Sequence, residues 1–520
     1  MKTRKNILTL MLVAIIAIGF GCTTDFEEIN TNPNSPTLES AAPNMLLTNA
    51  IESMTDRVHN IFLGHEMGSC WAQHMAKVQY TDEDRYIPRV SVINAAWTSF
   101  YSRSGMDIAT IYQIGVDSEH ENYQGVALVL QSYILSVLTD LYGDVPMSEA
   151  WMAADGVLQP AYDSQADVYS AVLANLATAN TLLDEGGSAI DGDILFGGDI
   201  LAWKKFANSL RLRLILRQSG VVAPGSQMSD ILASEPIFES NDDNAALAYL
   251  GSAPNNHPIN ENRKTRDDHR VSATLVDFLY TDAPSPDYRV SVYANLADGS
   301  GDYVGLPNGL KSADAGGYLG NGLANTSKIG DYFAKGTTPG MLMSYAELQF
   351  ILAEAALQGY IAGGATEAEN YYHAGITASY EQFEPDFTAA LEDVWAPTFE
   401  SWGWVPADTS IFDYAMQDFK DWGGTWTLDT DPVVAAEQIA IQRWVATFDQ
   451  GLQSWIEWRR TGYPELTAAV DGVLGGEIPR RVYYGSDEYA RNKTSVDAAN
   501  ANQGISGQSD LLTPVWWDVN

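Results

Sequence analysis

Aromatic rings set among acids and amides are the residues of this chain whose types and spacing best suit chemistry. Tyr80 and Tyr86 flank Thr81-Asp82-Glu83-Asp84-Arg85, and Trp402, Trp404, Trp422 and Trp426 sit in a stretch rich in Gly, Pro and Asp. Such rings stack on the apolar faces of sugar rings, while neighbouring Asp, Asn and Arg side chains hydrogen-bond the hydroxyls. Those six aromatics and Arg85 are the candidate ligand contacts. Trp97 and Tyr101, four residues apart on a helical stripe, read as core instead.

Bond-making chemistry finds less support. His65-Glu66 and His74 do not have H-E-x-x-H spacing, and there is no G-x-S-x-G, P-loop, G-x-G-x-x-G or C-x-x-C. Glycoside hydrolysis needs only two well-placed carboxylates, and the 67 acids here cannot be sorted by sequence, so a surface glycosidase stays as an alternative. Asp191-Gly192-Asp193 and Asp429-Thr430-Asp431 offer oxygen ligands for calcium, but neither completes an EF-hand loop. The expectation is a binding protein without a catalytic residue, metal or cofactor.

Charge narrows the partners. The 67 acids outnumber 29 Lys and Arg, giving a formal net charge of −38. Such a surface repels nucleic-acid phosphates and anionic lipid; a neutral glycan is not repelled and a cationic peptide is attracted. Two cysteines are present, Cys22 and Cys70. Cys70, in Gly68-Ser69-Cys70-Trp71, reads as a small buried hydrophobe with no partner for a disulfide.

The N-terminus explains the other cysteine. Lys2, Arg4 and Lys5 precede an uncharged, mostly apolar run from Ile7 to Gly21, followed by Cys22 and then Asp25-Phe26-Glu27-Glu28. The run is short for a membrane span, which needs ~20 apolar residues, and has the order of a secretory leader. It resembles a bacterial lipoprotein signal, although Gly19 stands where Leu is commonest. The resemblance implies a leader over 1–21 and lipid modification of Cys22. Residues 22–44, with Asn30-Thr31-Asn32-Pro33-Asn34-Ser35-Pro36, read as a tether.

Stepping outward to the elements that must hold the aromatics, residues 45–520 show repeated helical periodicity. Helices are expected over 45–58, 60–78, 92–114, 123–141, 166–183, 200–217, 344–357, 367–380, 433–448 and 452–458, with Gly143, Gly220 and Gly359 just past helix ends. Paired helices joined by short turns point to a mainly α body of tetratricopeptide-type hairpins, though no clean 34-residue repeat is present. Two loop-rich insertions, about 235–340 and 383–432, are expected to be irregular and functional. In the stripe Phe206, Leu210 and Leu214, the neighbouring Arg211 and Arg213 point elsewhere, and Arg459-Arg460 and Arg480-Arg481 are expected to pair with buried or half-buried carboxylates.

Several co-linear segments carry a family resemblance. They include Asp25 to Pro36, Leu138-Thr139-Asp140-Leu141-Tyr142-Gly143-Asp144-Val145-Pro146, Trp203 to Arg213, Tyr345 to Ala355, Trp455-Ile456-Glu457-Trp458-Arg459-Arg460-Thr461-Gly462-Tyr463-Pro464 and the closing Val515-Trp516-Trp517-Asp518. Together they resemble the SusD/RagB family of outer-membrane, cell-surface lipoproteins. The resemblance implies a helical fold with a loop-rich ligand side. It also implies a SusC-like TonB-dependent transporter as partner, with the lipoprotein as its lid, and a glycan, or in some members a peptide, as ligand. The shared motifs are structural, so the ligand residues do not follow from them.

Lipid anchoring makes the first test. Changing Cys22 to Ala is expected to move the protein from the membrane fraction to the soluble fraction of the cell, because each buried methylene of the lost acyl chains contributes ~0.8 kcal/mol. Equal membrane retention would reject the anchor.

Overall fold

The computed structural model describes residues 42–283 and 285–520. The expected leader, the Cys22 lipidation site and nearly all of the tether fall outside the described residues. Pro43–Asn520 forms one compact unit.

The body is mainly α-helical. Ten principal helices are α1 (Pro43–Val58), α2 (Gly105–Asp117), α3 (Glu121–Tyr142), α4 (Gln165–Leu182), α5 (Ile200–Arg217), α6 (Tyr345–Leu357), α7 (Gly364–Glu381), α8 (Ile411–Trp422), α9 (Pro432–Ala446) and α10 (Gly451–Thr461). Their starts are chemically explicit. Ser164, Asp199, Ser344, Ser410 and Asp431 each accept a backbone N–H of the first turn on a side-chain oxygen. Gly143 and Gly462 close α3 and α10 at φ 81° and 75°, where a Cβ would be strained. Sequence neighbours pack as pairs: α2 on α3, α3 on α4, α4 on α5 and α6 on α7. Helix α3 is apolar enough to cross a membrane, but it is 89% buried inside the body and serves as its central core helix.

Two short two-stranded antiparallel sheets complete the scaffold. β1 (Met75–Lys77) pairs with β3 (His269–Val271), aligning Met75 with Val271 and Lys77 with His269. β2 (Ala245–Leu247) pairs with β4 (Gly340–Met343). Both sheets thus tie the 235–340 insertion to the helices.

Two expectations are corrected. The helix expected over 60–78 is instead a π-helical turn, Ile61–Ser69, followed by β1. Close approach is the reason: a Cβ on Gly68 would lie 2.5 Å from the Leu452 nitrogen, and one on Gly451 would lie 2.3 Å from the Gly64 oxygen, so this backbone is packed directly on the start of α10. The stretch 383–432, read as irregular, contains the helices Asp386–Val394, Ala396–Trp402 and α8. In α8 the buried residues Ile411, Phe412, Ala415, Met416 and Phe419 form one stripe, a helical signal masked by the tryptophans and glycines around it.

Charges occupy the middle of the helical core. Glu347 of α6 takes bonds from Arg213 of α5 (Nε, 3.0 Å), Arg443 of α9 (2.8 Å) and Gln453 of α10 (2.7 Å). Glu457 takes Arg217 (2.9 Å), Arg443 (2.8 Å) and Arg460 (2.8 Å). Arg217 continues to Asp140 of α3 at 2.5 Å, and Arg460 to Glu354 at 2.7 and 2.5 Å. Arg460 and Arg480 have carboxylate partners, the latter Asp518. Arg459 and Arg481 do not: they are fully buried and donate to backbone carbonyls of Asp140 and Arg480, and of Tyr142, while Arg459 lies over the Trp455 ring at 4.0 Å. The planar fork of each guanidinium thus reaches carbonyls through its terminal nitrogens, while the Nε of each is buried without a partner.

Burial by itself would raise the Glu457 carboxyl, but the Arg443, Arg460 and Arg217 guanidiniums outweigh it and hold it well below the ordinary carboxylate range. Glu457→Gln leaves three guanidiniums short of their anion and is expected to cost about 3–5 kcal/mol in urea unfolding near neutral pH. A group with a depressed folded pKa stabilises fully above its ordinary value of 4.5 and loses that contribution as pH falls. The gap between wild type and variant should therefore narrow on acidification below that value. A pH-independent gap would show that Glu457 is not ionised by its arginines.

Candidate functional site

Strand β1 ends at Lys77, whose ammonium is buried between Glu66 (2.6 Å) and Asp268 (3.0 Å). This anchor, with the β1–β3 pairing, lays the loop after β1 beside the loop before β3. The loop after β1 turns tightly: Arg85 N–H donates to the Thr81 carbonyl (3.0 Å) and Ile87 N–H to Asp82 (2.8 Å). Asp84 closes the turn from inside, accepting from Lys77 N–H (3.1 Å) and Asn308 Nδ2 (2.8 Å). Its burial, only partly offset by these bonds, pushes the carboxyl up to about 6.

On this base Tyr80 stands outward. It is 60% exposed, and the Arg266 guanidinium lies 4.4 Å from its ring centroid, covering one face. Asp82, Lys311, Asp314 and Asn321 are exposed on the converging loops, and Thr81 lies 3.4 Å from Ser312. Tyr318 packs beneath on Ala76, Val78 and Leu306, while Leu319 beside it is 58% exposed.

Backbone strain concentrates here. Among the described residues, five of the seven non-glycine residues with positive φ are Gln73, Tyr80, Tyr86, Asp267 and Leu319, all on the segments that meet at this shelf. Each such residue costs of order 1–3 kcal/mol and persists only where its surroundings hold it. Gln73 donates to the Thr467 carbonyl, and the Tyr86 hydroxyl accepts the Ala469 N–H at 2.8 Å. The result is an outward aromatic face with a cation, carboxylates and amides around it, an arrangement that binds by stacking and hydrogen bonding.

The candidate contacts separate on this map. Tyr80 occupies the shelf. Arg85 is a tie within it, donating to the Asp471 carbonyl (3.1 Å) and lying 3.7 Å from Asp82. Tyr86 is 3% exposed and belongs to the core, so it offers no face to a ligand. Trp404 is 9% exposed with its indole N–H on the Thr409 carbonyl, and it too is core. Trp426 stacks on His373 at 4.1 Å and is half-buried, whereas Trp402 and Trp422 are 52% and 71% exposed at the ends of their helices. Among the described residues, no aromatic pair, hydrogen bond or ion pair joins Trp402, Trp404, Trp422 or Trp426 to the Tyr80 shelf. Nine of the 14 tryptophans are buried, which answers what most of them are for.

The calcium-like segments have structural work. Asp193 accepts N–H groups from Leu195, Gly198 and the Trp203 indole, and Asp431 caps α9. Cys70 is a free, buried thiol that burial pushes well above its ordinary range. Metal-ligating atoms gather within 4.8 Å at His59, His65, His257 and Asp449, in the interior rather than on the shelf.

Arg266, Tyr318 and Leu319 are shelf residues that no sequence motif singles out. Tyr318-Leu319 between Gly316-Gly317 and Gly320 was a legible signal: two large side chains on a glycine-rich loop. A second concavity, a cleft of about 380 Å³, is lined by Trp97, Tyr101, Trp151, Leu158, Glu149 and Arg491. There the Tyr101 hydroxyl donates to the Pro146 carbonyl (2.7 Å) and the Trp151 indole to the Tyr101 carbonyl (2.8 Å), leaving ring faces toward the cleft. Trp97 is buried, as expected for core, while Tyr101 is half-buried.

The comparisons follow the same outline. A family model of the SusD-like group, described as starch-binding and associating with the outer membrane, matches residues 33–485. A solved chitin-binding protein is similar at 28% identity and TM-score 0.76, covering 92% of this chain and 100% of its own. A chitin-binding SusD homologue from Flavobacterium johnsoniae is similar at 23% identity and TM-score 0.71, covering 92% of this chain and 98% of its own. A SusD homologue from Bacteroides fragilis gives 22% and 0.74, with 92% and 100% covered. A search of curated proteins found no match.

The tryptophans provide a direct check. Trp404→Ala is expected to cost about 3–5 kcal/mol of stability, as for other buried aromatic truncations. Trp422→Ala should stay within about 0.5 kcal/mol. Thermal unfolding of both variants measures this, and equal losses would overturn the division into core and surface.

Proposed function

The chain belongs to the SusD-like family, and from that premise we propose that it captures a glycan at the cell surface and passes it to a SusC-like TonB-dependent transporter, acting as the transporter's lid. The observation that carries the site is the strained, outward Tyr80 shelf. Its open ring face receives the apolar face of a sugar, and Arg266, Asp82, Lys311 and Asn321 supply donors and acceptors for hydroxyls. Similar structures bind chitin and the family description names starch, so chito-oligosaccharides and malto-oligosaccharides are the probes of choice. The buried acids of the helical core are held by arginines and serve stability, and the proposed mechanism requires no bond to be broken.

Two further readings rest on particular observations. The net charge of −38 favours a cationic peptide, whose binding would weaken steeply with salt as glycan binding would not. The aromatic cleft at Trp97, Tyr101 and Trp151 offers a concave alternative site, with Glu149 and Glu488 beside it. Release of reducing ends from a bound glycan would indicate a hydrolase; saturation without product is expected.

Calorimetry decides the site. An aromatic contact is worth about 0.5–1.5 kcal/mol beyond its area, so Tyr80→Ala should weaken glycan binding about tenfold with little change in stability. If Tyr80→Ala binds like wild type and Trp151→Ala does not, the cleft is the site and the shelf reading fails.

A further inference from the structure

Four side chains from four separate segments meet in the interior: His59 after α1, His65 on the π-helical turn, His257 from the insertion and Asp449 between α9 and α10. The histidines are 0–1% exposed and Asp449 9%. His59 Nδ1, His65 Nε2, His257 Nε2 and Asp449 Oδ1 are all buried without a hydrogen-bond partner. Buried polar atoms are almost always paired, so His59 Nδ1, His65 Nε2 and Asp449 Oδ1, which face one another without partners, require an explanation.

The outer bonds fix what each ring presents. His59 Nε2 lies 2.9 Å from the Met341 carbonyl, which accepts only, so Nε2 carries the proton and Nδ1 offers a lone pair inward. Ser69 donates its hydroxyl to the Gly64 carbonyl (3.4 Å), so its oxygen accepts from His65 Nδ1 (3.3 Å), and His65 Nε2 offers a second lone pair. His257 differs. Its Nδ1 accepts the Ile259 N–H at 3.3 Å, so its Nε2–H points to Asp449 Oδ2, 3.3 Å away.

Two inward lone pairs and a carboxylate oxygen repel one another unless a cation lies between them. The spacings are 3.7 Å from His59 Nδ1 and 3.9 Å from His65 Nε2 to the Asp449 oxygens. These go to Oδ2 and Oδ1 respectively, and all the candidate ligand atoms lie within 4.8 Å of one another; tetrahedral ligands with bonds of about 2.0–2.1 Å stand about 3.3–3.4 Å apart, so side-chain closure of about 0.3–1.5 Å brings the three onto one ion. We infer that His59 Nδ1, His65 Nε2 and Asp449 form a structural site for a divalent transition metal of the zinc class, with His257 as the positioning residue that orients the carboxylate. Two imidazoles and one carboxylate suit zinc and its neighbours rather than calcium or magnesium, which take oxygen. The imidazole bonds to Met341 and Ser69 are the outer support such ligands need. The site clamps the end of α1, the π turn and the α9–α10 connection in a body without disulfides, and is separate from the ligand shelf.

The test uses the full-length protein purified without chelator. Elemental analysis should find about one zinc-class ion per chain, and cobalt exchanged into the site should show the visible absorption bands of low-coordinate cobalt. Removing the metal should lower the melting temperature, and adding zinc should restore it. Asp449→Asn should reduce affinity at least tenfold, and the wild-type measurements stand even if that variant does not fold. A metal-free wild type whose melting temperature is unchanged by zinc or chelator would overturn the proposal, as would an Asp449→Asn variant that binds zinc like wild type.

Discussion

The chain of guanidinium and carboxylate groups through the helical core is the interaction on which the rest depends. Glu354, Arg460, Glu457, Arg443, Glu347 and Arg213 follow one another from α6 to α10, α9 and α5, and Arg217 carries the chain to Asp140 on α3. The Tyr169 hydroxyl and the Trp517 indole close on Asp140 from α4 and the C-terminal segment. Removing charges from water costs several kcal/mol per ion, so such a chain holds only when every member finds its partners. That requirement selects one relative placement of six helices, where apolar packing alone would tolerate sliding. Its net stabilising worth is a separate matter, because a hydrophobic replacement of similar shape can be as stable.

A second buried charge pair sets the shelf. Lys77 between Glu66 and Asp268 fixes the β1–β3 junction, and Arg89 binds Glu66 and Glu83 on the same side. The loops that carry Tyr80, Arg266 and Leu319 spring from this fixed base. Their positive-φ residues are held by buried bonds one step behind the surface, such as Tyr86 to Ala469. A binding face prepared in this way loses little conformational entropy when a ligand arrives. Burial and exposure are thus divided between adjacent residues: Tyr86 supports and Tyr80 presents.

The acidity of the chain has a structural corollary. With 29 basic residues against 67 acids, many of the arginines are spent inside: Arg213, Arg217, Arg289, Arg443, Arg459 and Arg481 are all buried. Acids such as Asp140, Glu347 and Glu457 are buried with them, so the outer surface keeps the strong negative excess of the composition, which suits a neutral ligand and disfavours anionic ones. Arg266 over Tyr80 is one of the few exposed cations at the shelf.

Helix positions were legible because periodicity, caps and closing glycines are local. The helices expected over 200–217 and 344–357 coincide with α5 and α6 to within a residue. The family followed from motifs that recur in order along the chain, and these are the packing and ion-pair segments: Arg213, Glu347, Glu354, Glu457 and Arg460 all lie within them. The sequence by itself also determined Cys70 as a buried thiol and the overall acidity. The tertiary structure alone decided which of two tyrosines six residues apart faces water, which of four tryptophans are core, and that His59, His65, His257 and Asp449 meet. Burial and convergence are set by contacts between segments hundreds of residues apart, such as Gly68 on Gly451 and Tyr86 on Ala469, and no local pattern of residue types encodes those distances.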